Sequence, residues 1–275
     1  MDVLSLVMRL RGSLYRCGQV ARALQGRVPA EKKPPDSPLQ RSVAISLADR
    51  LCQELLLIEA YELAPELEVY SEEMADLPSE IAALFAGNRH RYALIIDPID
   101  GTEDFVRGRP HYAHMVGILD QSTGRMAAGL IYFPTAMRLY FAVRGMGAFL
   151  ADGLWGAPQA LATVEPPRSV GDVKRLDHGD RAAFERLGLE VVPPESASAA
   201  YELIRVARGH VGAMVMRHFH GHDLAIPGVI IEELGGAVLD GAGEPARFEK
   251  GMPRMPLVVL SLAPSLAREI VNNVG

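Results

Sequence analysis

The stretch ALIIDPIDGTEDF, Ala93 to Phe105, runs apolar through Ile96 and then places Asp97, Asp100, Glu103 and Asp104 in close succession. An apolar run followed by Pro98 reads as a buried strand ending at Asp97, because proline cannot donate to a ladder, and Gly101 permits a tight turn. Asp97 and Asp100 can then converge at one sheet mouth. Adjacent carboxylates repel unless a proton or cation lies between them, and hard divalent cations with oxygen ligands meet that need. TEDFVRG can open a short helix whose first N–H groups face anions. The same letters also suit a plain capped turn, with Glu103 and Asp104 complementing a helix dipole. A calcium loop of the EF-hand type is excluded, since its twelfth position needs a glutamate and here is Gly108.

Working outward, the chain has 275 residues, 49% apolar and 23% charged, enough for one large core or two layered halves. The halves are expected at residues 1–150 and 151–275. No apolar run is long enough to span a bilayer, and Asp2, Arg9 and Arg11 break the plan of a secretory signal. A cytoplasmic protein without a membrane partner is therefore expected. A net charge of −6 argues against a binder of nucleic-acid polymer working through basic surface, although a metal ion can still bring phosphate to an acidic protein. Cys17 and Cys52 both fall in helical patterns and read as small buried hydrophobes rather than a disulfide.

Residues 2–24 carry an apolar stripe at helical spacing, Arg27 to Pro38 is a proline- and lysine-rich loop, and Ser46 to Leu57 is helical again. From Tyr92 to Phe149 the runs YALII, AHMVGILD, MAAGLIYFP and RLYFAVRG are short and β-like, which predicts a largely antiparallel sheet. A polar segment, Val164 to Ser198, leads to a second half with strands HVGAMVM, GAVLD and PLVVLSL, a helix over Leu224 to Leu234 and another after Pro264. Helices alternating with sheets through two halves predict a layered α/β or α+β sandwich.

DPIDGTEDF resembles the D-P-x-D-G-T-x-x-F signature of the inositol monophosphatase superfamily, the Mg²⁺-dependent, lithium-sensitive phosphatases. Other pieces follow in the family's order. SLADRLCQEL resembles its T-x-A-D helix, VYSEE its Glu-Glu strand end, GMGAFLADG its G-x-G-A-F-x-N-G turn, and GHDLAIPGVIIEELGGAVLD its W-D-x-A-A segment closing on E-A-G-G. The resemblance spans residues 40 to 262 and implies an αβαβα sandwich.

Carried over by position, it implies that Glu72, Asp97 and the Ile99 carbonyl hold a first Mg²⁺, and that Asp97, Asp100 and Asp223 hold a second. It implies that Thr102, oriented by Asp49, helps activate the attacking water beside Glu72, and that the N–H groups of Gly101 and Thr102 hold phosphate. Glu73 would support a third, weaker metal or a water. Structural alternatives exist for each: Glu72 and Glu73 as a solvated pair, Asp49 as a surface charge, Asp223 as a helix N-cap.

His218, His220 and His222 alternate and would share a strand face, as zinc ligands do, yet zinc sites draw on more than one element and no cysteine or distant histidine is placed to join. The family often has His at His220, whereas His222 replaces its Trp, leaving the packing behind Asp223 in question; the only tryptophan is Trp155. Leu224-Ala225-Ile226-Pro227 departs from the usual alanine pair. Lys32 or Lys33 could supply a loop lysine. Ala197 and Ser198 replace a Gly-Ser or Gly-Thr segment lining the leaving-group pocket, and Met216 stands where inositol-specific members have a ring-binding Glu.

The resemblance implies a phosphomonoesterase acting on a small hydroxylated metabolite. Inositol monophosphate is the default substrate; 3'-phosphoadenosine 5'-phosphate, fructose bisphosphate and histidinol phosphate are rivals. Dimers are usual for the family, so a homodimer is possible. The alternative of another class is a catalytically quiet relative that binds phosphometabolites or a protein partner.

Overall fold

The computed structural model describes residues 2–29, 31–32, 44–74, 77–153, 156–171, 176 and 178–274, without the side chains of 31–32 and 44–45. The side chain of Lys32, all of Lys33, and Trp155 lie outside the described residues. In chain order the elements are α1 (Val3–Leu24), β1 (Glu31–Lys32), β2 (Ala44–Ile45), α2 (Leu47–Leu63), β3 (Glu68–Ser71), α3 (Ser79–Leu84), β4 (Tyr92–Asp100) and α4 (Thr102–Val106). A meander follows: β5 (Ala113–Asp120), β6 (Arg125–Phe133), β7 (Arg138–Val143), β8 (Gly147–Asp152) and β9 (Gln159–Ala160). The remainder is β10 (Ser169–Gly171), α5 (His178–Arg186), β11 (Glu190–Val192), α6 (Ala199–Ala207), β12 (Ala213–His220), α7 (Gly221–Glu233), β13 (Ala237–Asp240), β14 (Arg254–Ser261) and α8 (Pro264–Val274).

Strand alternation generates the layers. In the large sheet, ordered β3-β4-β5-β6-β7-β8-β9, Leu94, Ile96, Val116 and Ile118 face the apolar stripe of α1 and α2, which includes Leu6, Leu10 and Leu14. Ala93, Ile95, Met115 and Ile131 face the other way, onto α6 and α7. The smaller sheet, ordered β11-β10-β12-β14-β13, repeats the device: Met214, Met216, Val258 and Leu260 close on the same α6–α7 layer, while Ala213, Val215, Leu257 and Val259 face α5 and α8. The result is the expected αβαβα sandwich, with two helices of the C-terminal half serving both sheets. The large sheet reaches Ala160, past residue 150.

Three local expectations change. The polar crossing from Val164 to Ser198 contains β10, α5 and β11. The helix expected from Leu224 begins at Gly221, with His220 as its N-cap, so Asp223 lies inside the first turn rather than capping it. The histidines do not share one strand face: His218 takes a left-handed φ of 56°, which breaks the alternation, and His222 belongs to α7. Cys17 and Cys52 are buried free thiols, each Sγ donating to the other's backbone carbonyl at 3.6 Å across α1 and α2.

Candidate metal and phosphate site

The site is built on an irregularity in β4. In a regular strand Asp97 and Asp100, three residues apart, would point to opposite faces. Asp97 pairs with Met115 and Asp100 with Ala113, so one residue of β4 is bulged out between them and both carboxylates reach the same mouth. Pro98 offers no N–H to the ladder, and its carbonyl takes a short hydrogen bond from Nδ1 of the fully buried His114 on β5. Burial drives the His114 pKa down to about 4 against the pull of the Pro98 carbonyl, so the ring is neutral. The Thr102 hydroxyl lies 3.1 Å from the Ile99 carbonyl, securing the other side of the bulge.

Gly101 closes the turn at φ 83°, and a Cβ there would sit 2.8 Å from Ser198 Cβ and 3.1 Å from the His111 carbonyl oxygen. Only glycine admits this approach of the two halves. They are latched by carboxylates from the first half gripping the start of α6. Asp100 accepts from the Ser198 hydroxyl and from the N–H groups of Ala199 (3.1 Å) and Ala200 (2.9 Å). Asp104 accepts from the Ser196 hydroxyl at 2.6 Å and the Ala197 N–H at 3.0 Å, and pairs with Arg109.

Helix α2 supplies the third wall. Asp49 and Gln53, one turn apart and each 1% exposed, face inward. Asp49 accepts from the Ser46 N–H (2.8 Å) and hydroxyl (2.6 Å), and its other oxygen lies 3.3 Å from the Thr102 hydroxyl. Gln53 brackets the backbone of Glu73, donating to its carbonyl and accepting from its N–H, and also takes the Ser71 hydroxyl, which fixes the turn after β3 that presents Glu72. Asp223 arrives on α7, which rests on Gly129 of β6, where a Cβ would lie 2.5 Å from the Ile226 carbonyl.

Two ligand-like groups converge. Asp97, Asp100 and Asp223 bring carboxylate oxygens within 4.8 Å of one another, and Glu72, Asp97 and a ring nitrogen of His222 do the same. Asp97 Oδ1 is buried and hydrogen-bonds to nothing, and among the described residues neither Asp97 nor Asp100 has an ion-pair partner. Burial, then Glu72, Asp100 and Asp223, push the Asp97 carboxyl well above its ordinary range. Asp100 rises to about 7 through burial and the Asp223 charge, opposed by its bonds to Ser198, Ala200 and Ala199. Four carboxylates converging, with Asp97 and Asp100 lacking an ion-pair partner among the described residues, suit a divalent cation.

Asp49, Glu72, Asp97, Ile99, Asp100, Gly101, Thr102 and Asp223 thus gather at one mouth. Asp49 is not a surface charge, and Glu72 and Glu73 are not a solvated pair. Two substrate-facing expectations are corrected. Met216 is fully buried on β12 between the sheets and presents no surface to a ligand. Ser198 is also fully buried, its hydroxyl donating to Asp100 and accepting from the Tyr201 N–H at 3.0 Å as the N-cap of α6, so it positions Asp100. Glu73 is buried outside both convergent groups. His220 stacks on His222 with centroids 5.4 Å apart, its pKa driven to about 4 by burial, then by His222 and Arg254. Gln53 and His114 had no signal in the sequence, and Asp104 was legible only as a helix-dipole complement, because their partners are distant in it.

A layered α/β sandwich with a carboxylate mouth on a bulged strand is the arrangement to compare with known folds. The sequence profile of the inositol monophosphatase family matches residues 20–273, and the chain belongs to that family. It is 30% identical to human inositol monophosphatase 2 over 84% of this chain and 78% of that one. It is 31% identical to the histidinol-phosphatase of Chlorobaculum parvum (72% and 73% covered) and 31% identical to the Nus factor SuhB of Pasteurella multocida (66% and 66%). Among solved structures, SaIMPase-II with 2'AMP bound superposes with a TM-score of 0.71 at 21% identity, covering 98% of this chain and 93% of that one. No helix among the described residues is long and apolar enough to cross a membrane.

Proposed function

We propose that the protein is a metal-dependent phosphomonoesterase acting on a small phosphorylated metabolite. The observation that carries this reading is Asp97: a buried carboxylate whose Oδ1 has no hydrogen-bond partner, inside a convergence of acids. Glu72, Asp97 and the Ile99 carbonyl would hold one cation, and Asp97, Asp100 and Asp223 a second, with Mg²⁺ as the ion. Bound there, divalent cations supply charge neutralisation at the phosphoryl oxygens and an acidified water. The chain's own work is orientation. Asp49, fixed by Ser46, lies within hydrogen-bond reach of the Thr102 hydroxyl, whose single proton it shares with the Ile99 carbonyl; accepting that bond would turn a Thr102 lone pair toward a water and align it for attack. The N–H groups of Gly101 and Thr102 would receive phosphate oxygens. Lithium inhibition, a homodimer and a cytoplasmic setting belong to the same reading.

Inositol monophosphate remains the default substrate by family, yet the position of the family's ring-binding Glu is a sealed methionine. A site with no carboxylate for ring hydroxyls rejects less hydroxylated analogues weakly. We therefore expect inositol 1-phosphate to be preferred by no more than about tenfold, roughly 1.4 kcal/mol, in kcat/KM over histidinol phosphate, fructose 1,6-bisphosphate and 3'-phosphoadenosine 5'-phosphate. A larger preference would show that other side chains replace the Glu. The catalytically quiet alternative predicts no turnover of any of the four with Mg²⁺ or Mn²⁺, and the complete carboxylate set stands against it.

A further inference from the structure

The first of the two convergent groups is not all oxygen. His222, 1% exposed at the start of α7, directs Nε2 to 3.5 Å from an Asp223 oxygen and 3.9 Å from a Glu72 oxygen, and its ring nitrogen gathers with Glu72 and Asp97 within 4.8 Å. Both are ion-pair distances when the ring is protonated. The Glu72 spacing also fits two donors around a common ion: ligand atoms about 2.1 Å from a metal stand about 3 Å apart when adjacent and about 4.2 Å apart when opposite. The ring is held in place from two sides, by His220 stacked at 5.4 Å and 8° and by Tyr70 at 6.2 Å. The three donors come from the β3 turn, β4 and α7, the several elements that a metal site requires.

Resting on the metal-dependent reading above, we infer that His222 is a ligand of the first cation, giving that position a mixed nitrogen and oxygen donor set. As a ligand, Nε2 would supply its lone pair from the side that faces Glu72. Imidazole favours transition metals over Mg²⁺, whereas the all-carboxylate group of Asp97, Asp100 and Asp223 suits hard ions. The first position would then admit Mg²⁺ and hold a transition-metal ion such as Mn²⁺ more tightly.

The test is Mn²⁺ binding to the full chain, followed by calorimetry and by pulsed electron paramagnetic resonance, which detects nitrogen bonded to the ion. The wild-type chain is expected to show a nitrogen coupling that changes when its histidines carry ¹⁵N, a readout that needs no variant to fold. The coupling is expected to vanish in His222→Gln and persist in His220→Gln. Mn²⁺ affinity in His222→Gln is expected to fall about 10–100-fold, with Mg²⁺ affinity moving by less than about threefold. Mn²⁺ binding that is lost in Asp97→Asn yet shows no nitrogen coupling overturns the ligand role of His222 and leaves the metal-dependent reading intact. Absence of any Asp97-dependent binding overturns both.

Discussion

The two ends of the β3–β4–β5 unit carry the same residue type under opposite electrostatics. At the far end, Glu68 is bonded to Lys250 and Gln121, Asp120 takes a two-pronged grip from Arg91, and both carboxyls are held down at about 2. At the site end, Asp97 and Asp100 are pushed up, Asp100 to about 7. All four residues are under 9% exposed, so accessibility alone does not separate the ends. The counter-charge does. Glu68 and Asp120, paired with Lys250 and Arg91, form a clamp complete when the chain folds; Asp97 and Asp100, which have no ion-pair partner among the described residues, suit a cation from outside.

The sharpest way to break that contrast is to exchange one acid at each end. Asp97→Asn removes the carboxylate shared by both convergent groups and is expected to lower turnover by about 10³-fold or more, while Glu68→Gln leaves kcat within about twofold. Exhaustive chelation should abolish wild-type activity, and Mg²⁺ or Mn²⁺ should restore it. Full activity in chelated enzyme or in Asp97→Asn would end the metal reading. Next in size is the Asp49–Thr102 relay. Asp49→Asn and Thr102→Ala are expected to lower kcat by about 10² to 10⁴ while keeping most metal affinity, measured by calorimetry alongside rates. Equal loss of metal binding would move Asp49 into the metal shell.

The contrast also fixes a sign for pH. Because Asp97 and Asp100 titrate higher in the folded chain than in the unfolded one, the metal-free native state binds more protons from about pH 4 to about pH 7. Its stability is therefore expected to fall as pH rises through that window. Glu68 and Asp120, titrating at about 2, act oppositely, contributing stability that is lost only as pH drops below about 4. Melting temperatures without metal should decline toward neutral pH, saturating Mg²⁺ should reverse the decline, and Asp100→Asn should flatten it. A metal-free melting curve that improves toward pH 7 would contradict the contrast.

What the sequence disclosed follows range. The β4 run, the Gly101 turn and the α1 stripe depend on neighbours within a few residues, and each was legible. The carboxylate set was legible through resemblance, position by position. The bulge that puts Asp97 and Asp100 on one face was not, because its cause is a partner strand whose register no local pattern encodes. Ser198 was assigned to the substrate because its seat on Asp100 spans the two halves. The histidine run misled for a local reason: alternation implies a strand, and the left-handed turn at His218 ends that periodicity.

His114 gives the smallest and most selective test of how the site end is held. Its Nδ1–H donates to the Pro98 carbonyl, at a position where the ladder itself provides no regular bond. His114→Val places a strand-forming apolar residue on β5 but removes the donor, leaving a buried carbonyl unpaired at a cost of about 1–3 kcal/mol. Because Pro98 lies between Asp97 and Ile99, a relaxed bulge should also weaken the metal site, so the Mg²⁺ activation midpoint is expected to rise along with the loss in melting temperature. His114→Asn, which retains a donor near the Nδ1 position, should recover part of both. A variant that loses stability with an unchanged Mg²⁺ midpoint would show that Thr102 and the sheet register hold the bulge without His114.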